Sequence, residues 1–219
     1  MLTDPVEIEI VSRARQKNVR DPQRSRQHFT NIFSDFLSDL PMRGMRLLDL
    51  GPGQFDFGVL ARDRGAEVVS IDNDPAVVEL GNYKGFRCFE GSIQDIAQLD
   101  LGGSFDGVFC KFSINAFWYW DDENGHVALA EAIGRFLKSD GWSWIAPWNG
   151  APKKAELSAR KRQDVLSVQA DLFRALGFIG VDLNGDMARR YGVTGAVENH
   201  ALFLRGLRVP DALKSCASL

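Results

Sequence analysis

The feature that most constrains this chain is an apolar run that stops on a carboxylate and two closely spaced glycines. Residues 46–58 read Arg-Leu-Leu-Asp-Leu-Gly-Pro-Gly-Gln-Phe-Asp-Phe-Gly, and a helical pattern follows. Glycine has no Cβ, so the backbone at Gly51 and Gly53 can turn tightly and admit a ligand at close range. Nineteen residues after Gly53, a second apolar run, Glu67-Val-Val-Ser-Ile71, ends at Asp72. In a strand–helix–strand unit an acid at that place accepts hydrogen bonds from ribose hydroxyls. The pattern predicts a nucleoside site at the carboxyl edge of a parallel sheet.

From residue 45 onward, strand and helix periodicities alternate, which predicts an α/β fold with a doubly wound sheet. Strands are expected near 46–50, 67–71, 86–90, 105–110, 142–146, 179–183 and 201–206, and helices near 56–64, 75–82, 125–138 and 161–176. This makes a seven-stranded, mostly parallel sheet. The last two strands lack a full helix between them, so they are expected to pair antiparallel at the edge, with the last strand antiparallel. Gly141 reads as the C-terminal cap of the 125–138 helix. Upstream, Phe29, Ile32, Phe33, Phe36, Leu37 and Leu40 recur at helical spacing until Pro41. They predict an amphipathic helix over 25–39, lying against the sheet. The expected organisation is a basic segment plus lid helix at 1–44, the main domain at 45–208 and a flexible tail at 209–219.

Composition narrows the class. The chain has 219 residues, 45% of them hydrophobic and 25% charged, as in ordinary globular domains. A formal charge of −3 argues against a dedicated nucleic-acid binder. Cys88, Cys110 and Cys216 are too few and too scattered for a disulfide framework or a metal site, so no metal is expected. The opening residues, Met1-Leu-Thr-Asp-Pro-Val-Glu, carry no secretory pattern. No apolar stretch approaches the length of a membrane span. A cytoplasmic protein with no membrane association is the expectation.

The nucleoside can be narrowed further. A dinucleotide fingerprint requires G-x-G-x-x-G at the pyrophosphate. Here the third position is Asp56, whose carboxylate would repel a phosphate. A nucleoside without phosphates is favoured over a nicotinamide dinucleotide. Asp49-Leu-Gly-Pro-Gly-Gln-Phe resembles motif I of the class I S-adenosylmethionine-dependent methyltransferases, D/E-x-G-x-G-x-G, with Phe55 at the third glycine. Ile71-Asp-Asn-Asp-Pro75 is similar to the family's second motif. Gly91-Ser-Ile-Gln-Asp95 occupies the adenine-binding turn, Phe105-Asp-Gly-Val matches the fourth strand, and Leu137-Lys-Ser-Asp-Gly141 is similar to the "LKPGG" turn before strand five.

The resemblance implies a Rossmann-like fold, S-adenosylmethionine as cofactor, and roles for individual residues. Asp49 would face the methionine amino group. Gly51, Gly53, Gln54 and Phe55 would form the turn beneath the methionine and ribose. Asp72 would hold the ribose diol, with Asn73 beside the adenine and Ile93 packed on it. Ser92 stands where many members carry an acid, which leaves that task to Asp95 or to a backbone carbonyl. Lys111 and Phe112 would end strand four beside the sulfonium.

Methyl transfer to oxygen or nitrogen benefits from a base. His28, on the lid helix, and His126, opening the helix after strand four, are the catalytic candidates, although a surface or hydrogen-bonded histidine is the more ordinary reading of each. Ligands bind outside the carboxyl ends of strands in open α/β sheets. Asn115, Trp118, Tyr119 and Trp148 are therefore candidates for the acceptor pocket, whereas Trp142 and Trp144 read as core. Two basic clusters, Arg13–Arg26 and Lys153–Arg162, suit either solvated faces or an anionic acceptor. The expected partner is a small-molecule acceptor, with a homodimer compatible. An RNA or protein acceptor and a non-catalytic cofactor-binding protein are the alternatives.

Overall fold

The computed structural model describes residues 4–14, 22–114, 123–146, 171–194 and 201–216. The elements run α1 Pro5–Arg13, α2 Pro22–Ile32, a π-helical turn Phe33–Leu37, β1 Arg46–Leu50, α3 Asp56–Arg62, β2 Glu67–Asp72, α4 Pro75–Tyr83 and β3 Arg87–Glu90. A 3-10 turn at Ile93–Gln98 leads to β4 Phe105–Lys111, α5 Glu123–Phe136 and β5 Leu137–Ala146. Next come a helical end at 171–175 (α6), β6 Ile179–Asp182, α7 Gly185–Arg190, β7 Ala201–Arg205 and a 3-10 turn at Asp211–Cys216.

The seven strands form one sheet in the order β3-β2-β1-β4-β5-β7-β6. The pairs among β1 to β5 are parallel. The last two strands pair antiparallel at one edge of the sheet, as expected, with β6 outermost. β7 inserts between β5 and β6 and runs against both, leaving β6 outside. Its buried Leu202-Phe203-Leu204 suits that interior place, because a strand covered on both faces is apolar throughout.

Strand alternation divides the core into two layers. Leu48, Leu50, Val69, Ile71, Val108 and Cys110 face α5, α6 and the Ile93–Gln98 turn. Leu47, Phe109, Trp144 and Leu204 face α1 to α4. On this second face the rings form a ladder. Phe57 stacks on Phe109 at 4.0 Å and 3°, and Phe109 on Trp144 at 4.9 Å and 12°. Phe36 then joins Trp144 to Tyr191. Trp142 and Trp144 are core residues, as their alternation predicts.

The predicted amphipathic helix is present as α2 and its π turn. The wider turn lets Ile32, Phe33, Phe36 and Leu37 all face the core. Burying such side chains contributes about 1.5–3 kcal/mol each. The same winding aims Asp35 at α7. Arg190 forks onto its carboxylate at 2.7 and 2.8 Å, and the Tyr191 hydroxyl donates to it at 2.9 Å. Asn31 donates to the Arg190 carbonyl.

Four features were not anticipated. α1 forms because Asp4 caps it and Pro5 occupies its first turn. It is tied to α4 by Arg13–Glu79, Glu7–Lys84 and Tyr83–Asp4, so Arg13 serves an ion pair rather than a basic patch. Leu137 already pairs with Phe105 as strand, and the register then slips, so that Trp142 meets Gly107. Gly141 is therefore no helix cap: it sits in the bulge, where a Cβ would lie 3.0 Å from the Lys138 carbonyl oxygen. Finally, the segment 211–213 is anchored rather than frayed, because Leu213 is buried.

The α2–α7 clasp is testable. Burial pulls Asp35 upward, but the Arg190 and Tyr191 hydrogen bonds outweigh it and hold the carboxyl below its ordinary range. A depressed carboxyl contributes stability above its unfolded pKa near 3.8 and loses it as pH falls through the folded value. Asp35→Ala is expected to lose about 1–3 kcal/mol at pH 7, since it strands the Tyr191 hydroxyl and the Arg190 fork. In urea titrations the gap to the parent protein should close below pH 4.

Candidate active site

β1 ends in the middle of the sheet, flanked by β2 and β4, so the turn after it lies where three carboxyl ends converge. Asp49 is 2% exposed, and its Oδ2 has no hydrogen-bond partner among the described residues. Burial and the neighbouring charges of Asp72 and Asp56 push its carboxyl well above the ordinary range. Asp72 is 4% exposed at the end of β2, and Asp74 N–H donates to its Oδ1 at 2.9 Å. Burial raises it too, only partly offset by that donor. Asp56 opens α3, where the helix dipole favours an anion. Three carboxylates thus surround one turn. Such a site is built for a cationic ligand and against a phosphate.

The backbone there is forced into the left-handed region at Gly51 (φ 72°), Gly53 (φ 55°) and Phe55 (φ 66°). The two glycines do different work. A Cβ on Gly51 would lie 1.8 Å from Ser113 Oγ, so this glycine admits the protein's own side chain from the end of β4, not a ligand as expected. A Cβ on Gly53 would meet nothing within 4 Å: this is the open side of the turn. A small apolar recess between α1, α4 and the turn is lined by Val11, Ala14, Gly53, Gln54, Ala76, Val77 and Leu80.

Phe55 sends its ring away from this space. It is fully buried and stacks on Phe86 at 5.0 Å, over Gly81, where any Cβ would collide with it. Only its backbone can serve a ligand. Phe112, after β4, is also left-handed (φ 67°), and its ring is 49% exposed. Phe55 and Phe112 are the two non-glycine residues held in the left-handed region among the described residues.

Residues 48–145, which contain this turn, match a family model described as a methyltransferase domain. Over this span the chain is similar to the methyltransferase domains. Its fold resembles magnesium protoporphyrin IX methyltransferase from Synechocystis PCC 6803 with bound S-adenosylmethionine (TM-score 0.57, 16% identity, 91% of this chain and 88% of that one). It also resembles an amino pentose methyltransferase from Micromonospora echinaspora (TM-score 0.53, 17% identity, 84% and 90%). At such identities the likeness is one of fold. A curated relative, ribosomal protein L11 methyltransferase of Thermosipho africanus, is 31% identical over 113 residues, which span 51% of this chain and 41% of that protein.

The residues fit the family's cofactor. An unpartnered buried carboxylate oxygen suits an ammonium group, and the open face of Gly53 leaves room beside it. Asn73 follows Asp72 on the exposed edge. Ser92 caps the next turn by accepting from Gln94 N–H at 3.1 Å, and Ile93 is buried behind it. Lys111 lies with its ammonium 4.8 Å from the Phe29 ring and 5.6 Å from that of Phe112. The His28 ring presses on Gly192, where a Cβ would lie 2.0 Å from its Nδ1. His126 falls within α5, but its side chain lies outside the described residues, as do Asn115, Trp118, Tyr119 and Trp148. Among the described residues no cluster of His, Cys, Asp and Glu could hold a metal, and no helix is long and apolar enough to cross a membrane. The thiols of Cys88 and Cys110 are pushed up to about 12 by burial.

Two outcomes follow from this geometry. A carboxyl raised above its unfolded value near 3.8 costs stability as pH climbs through that window. Asp49→Asn should therefore melt higher than the parent protein at neutral pH without ligand, with the gap closing towards pH 4, while cofactor affinity falls about ten- to hundred-fold. Phe55→Gly relieves about 1–2 kcal/mol of left-handed strain but opens a cavity costing about 3–5 kcal/mol. Cavity loss wins, so urea denaturation should show a net destabilisation of about 1–4 kcal/mol.

Proposed function

We propose that this chain transfers the methyl group of S-adenosylmethionine to a small metabolite. The observation that carries the reading is the buried, unpartnered oxygen of Asp49 at the centre of three carboxylates. It calls for a cation, and the sulfonium cofactor bears two positive groups. When bound, the sulfonium supplies an activated methyl for in-line displacement; the protein's task is to align the acceptor.

In this reading Asp49 receives the ammonium group and Asp72 accepts from the ribose diol. The preset hydrogen bond from Asp74 N–H fixes the Asp72 carboxylate in place. Asn73 borders the adenine, with Ile93 beneath it. Ser92 spends its lone pair on the Gln94 cap but keeps its O–H to donate. α2 forms the lid, and His28 and His126 are the candidate bases. An anionic acceptor suits the basic clusters, with Asn115, Trp118, Tyr119 and Trp148 proposed around it.

A protein acceptor is the second reading, and the name of the Thermosipho africanus relative favours it. The two separate by experiment. Labelled S-adenosylmethionine incubated with metabolite pools should give methylated small molecules, whereas label in ribosomal protein or bulk protein would support the second reading. Asp72→Ala should weaken S-adenosylhomocysteine binding about ten- to hundred-fold by calorimetry, through loss of charge-assisted hydrogen bonds. Unchanged affinity would place the ribose elsewhere.

A further inference from the structure

Lys111 is a cation that feels the acidic turn through Asp56, and its position has a chemical consequence. β1 and β4 are in register through Asp49–Phe109 and Leu50–Cys110. Partners in a parallel pair share a face, and residues two apart repeat it. Lys111 therefore rises on the same face as Asp49, one step beyond the last registered pair and level with Gly51. Ser113 Oγ confirms the proximity, lying 3.3 Å from the Gly51 carbonyl oxygen and 3.4 Å from that of Lys111. Asp56 acts electrostatically on both Asp49 and Lys111.

No described carboxylate forms an ion pair with Lys111. Its ammonium rests instead between the rings of Phe29 and Phe112. Ring faces attract a cation but replace neither water nor a counter-ion in full. Burial draws the ammonium down to about 8, against the opposing pull of Asp56. The turn therefore carries two opposite groups without an ion-pair partner among the described residues on one face: a buried carboxyl on β1 and a half-buried ammonium on β4.

An amino acid end is a zwitterion with the complementary pair. We propose that Lys111 binds the carboxylate of the cofactor's methionine half while Asp49 binds its ammonium, so that the two side chains together recognise an α-amino acid rather than a bare cation. The inference rests on the cofactor reading above and deepens it. It gives Lys111 a task at odds with a mere neighbour of the sulfonium: a lysine there would repel the positive sulfur unless its own charge were answered. The carboxylate answers it.

The test is selectivity rather than activity. Calorimetry on the full chain compares S-adenosylmethionine and S-adenosylhomocysteine with decarboxylated S-adenosylmethionine, which keeps sulfonium and ammonium but lacks the carboxylate. The parent protein should prefer the carboxylated ligands by about ten- to hundred-fold, the range of a charge-assisted pair. Lys111→Met should lose that factor for the carboxylated ligands and leave the decarboxylated one unchanged or improved; Lys111→Arg should keep most of the preference. Equal affinity of the parent protein for both kinds of ligand overturns the inference without any variant. So does a Lys111→Met protein that weakens all three ligands alike, or none. If the parent protein binds neither S-adenosylmethionine nor S-adenosylhomocysteine, the cofactor reading itself has failed, and that outcome is distinct from a loss of selectivity.

Discussion

A carboxylate buried at the end of the central strand is the constraint around which this structure is arranged. Removing an ionised oxygen from water without a partner is expensive. Asp49 is nevertheless held there, with Asp72 and Asp56 adding repulsion. What keeps it in place is the register of β1 between β2 and β4, and that register is locked by side chains on both faces. On one face the Phe57–Phe109–Trp144 stack crosses from α3 to β5 immediately below the turn. On the other, Leu48 and Leu50 are sealed by the α5 layer. The packing energy of the two layers is what allows one unfavourable charge to persist at their edge.

The same arrangement explains why a nucleotide-binding topology need not bind a phosphate. The helix that follows the glycine turn offers N–H groups and a positive dipole end, which ordinarily attract an anion. In this chain Asp56 occupies the first position of α3 and answers that dipole from within. Phe55 goes further. A bulky residue in the left-handed conformation fills the space above Gly81, so the turn is braced from below. A flexible, anion-seeking loop has become a rigid, acid-lined one by two side-chain choices three positions or fewer from the glycines.

Much of this was legible because it depends on local pattern. Apolar runs ending in Asp49 and Asp72 sit at the carboxyl ends of their strands, and alternation at Trp142 and Trp144 identified the core. What escaped the sequence depends on long-range contact. α1 is a short polar helix whose partners, Glu79, Tyr83 and Lys84, lie some seventy residues away on α4. The slip between Phe105 and Gly107 moves Leu137 into a strand although its local pattern is helical. Gly51 looked like a ligand approach because nothing local announces that Ser113, across the β1–β4 pair, fills the space. Seven strands were countable, but the insertion of β7 inside β6 is a fact of sheet order that no single segment encodes.

α2 and the glycine turn are built on one layer, and this limits how far they can be treated separately. Phe29 on α2 packs against Phe109 of the aromatic stack at 5.9 Å, and its ring also covers Lys111 at 4.8 Å. Two turns further along the same helix, Phe36 continues the stack to Tyr191, which donates to Asp35. One rigid face thus runs from the α7 clasp to the ammonium at the mouth of the turn. Contacts that share a helix and a ring stack are not energetically independent. Docking of α2 therefore sets the surroundings of Lys111, and the charge state of Lys111 is felt by the helix that covers it.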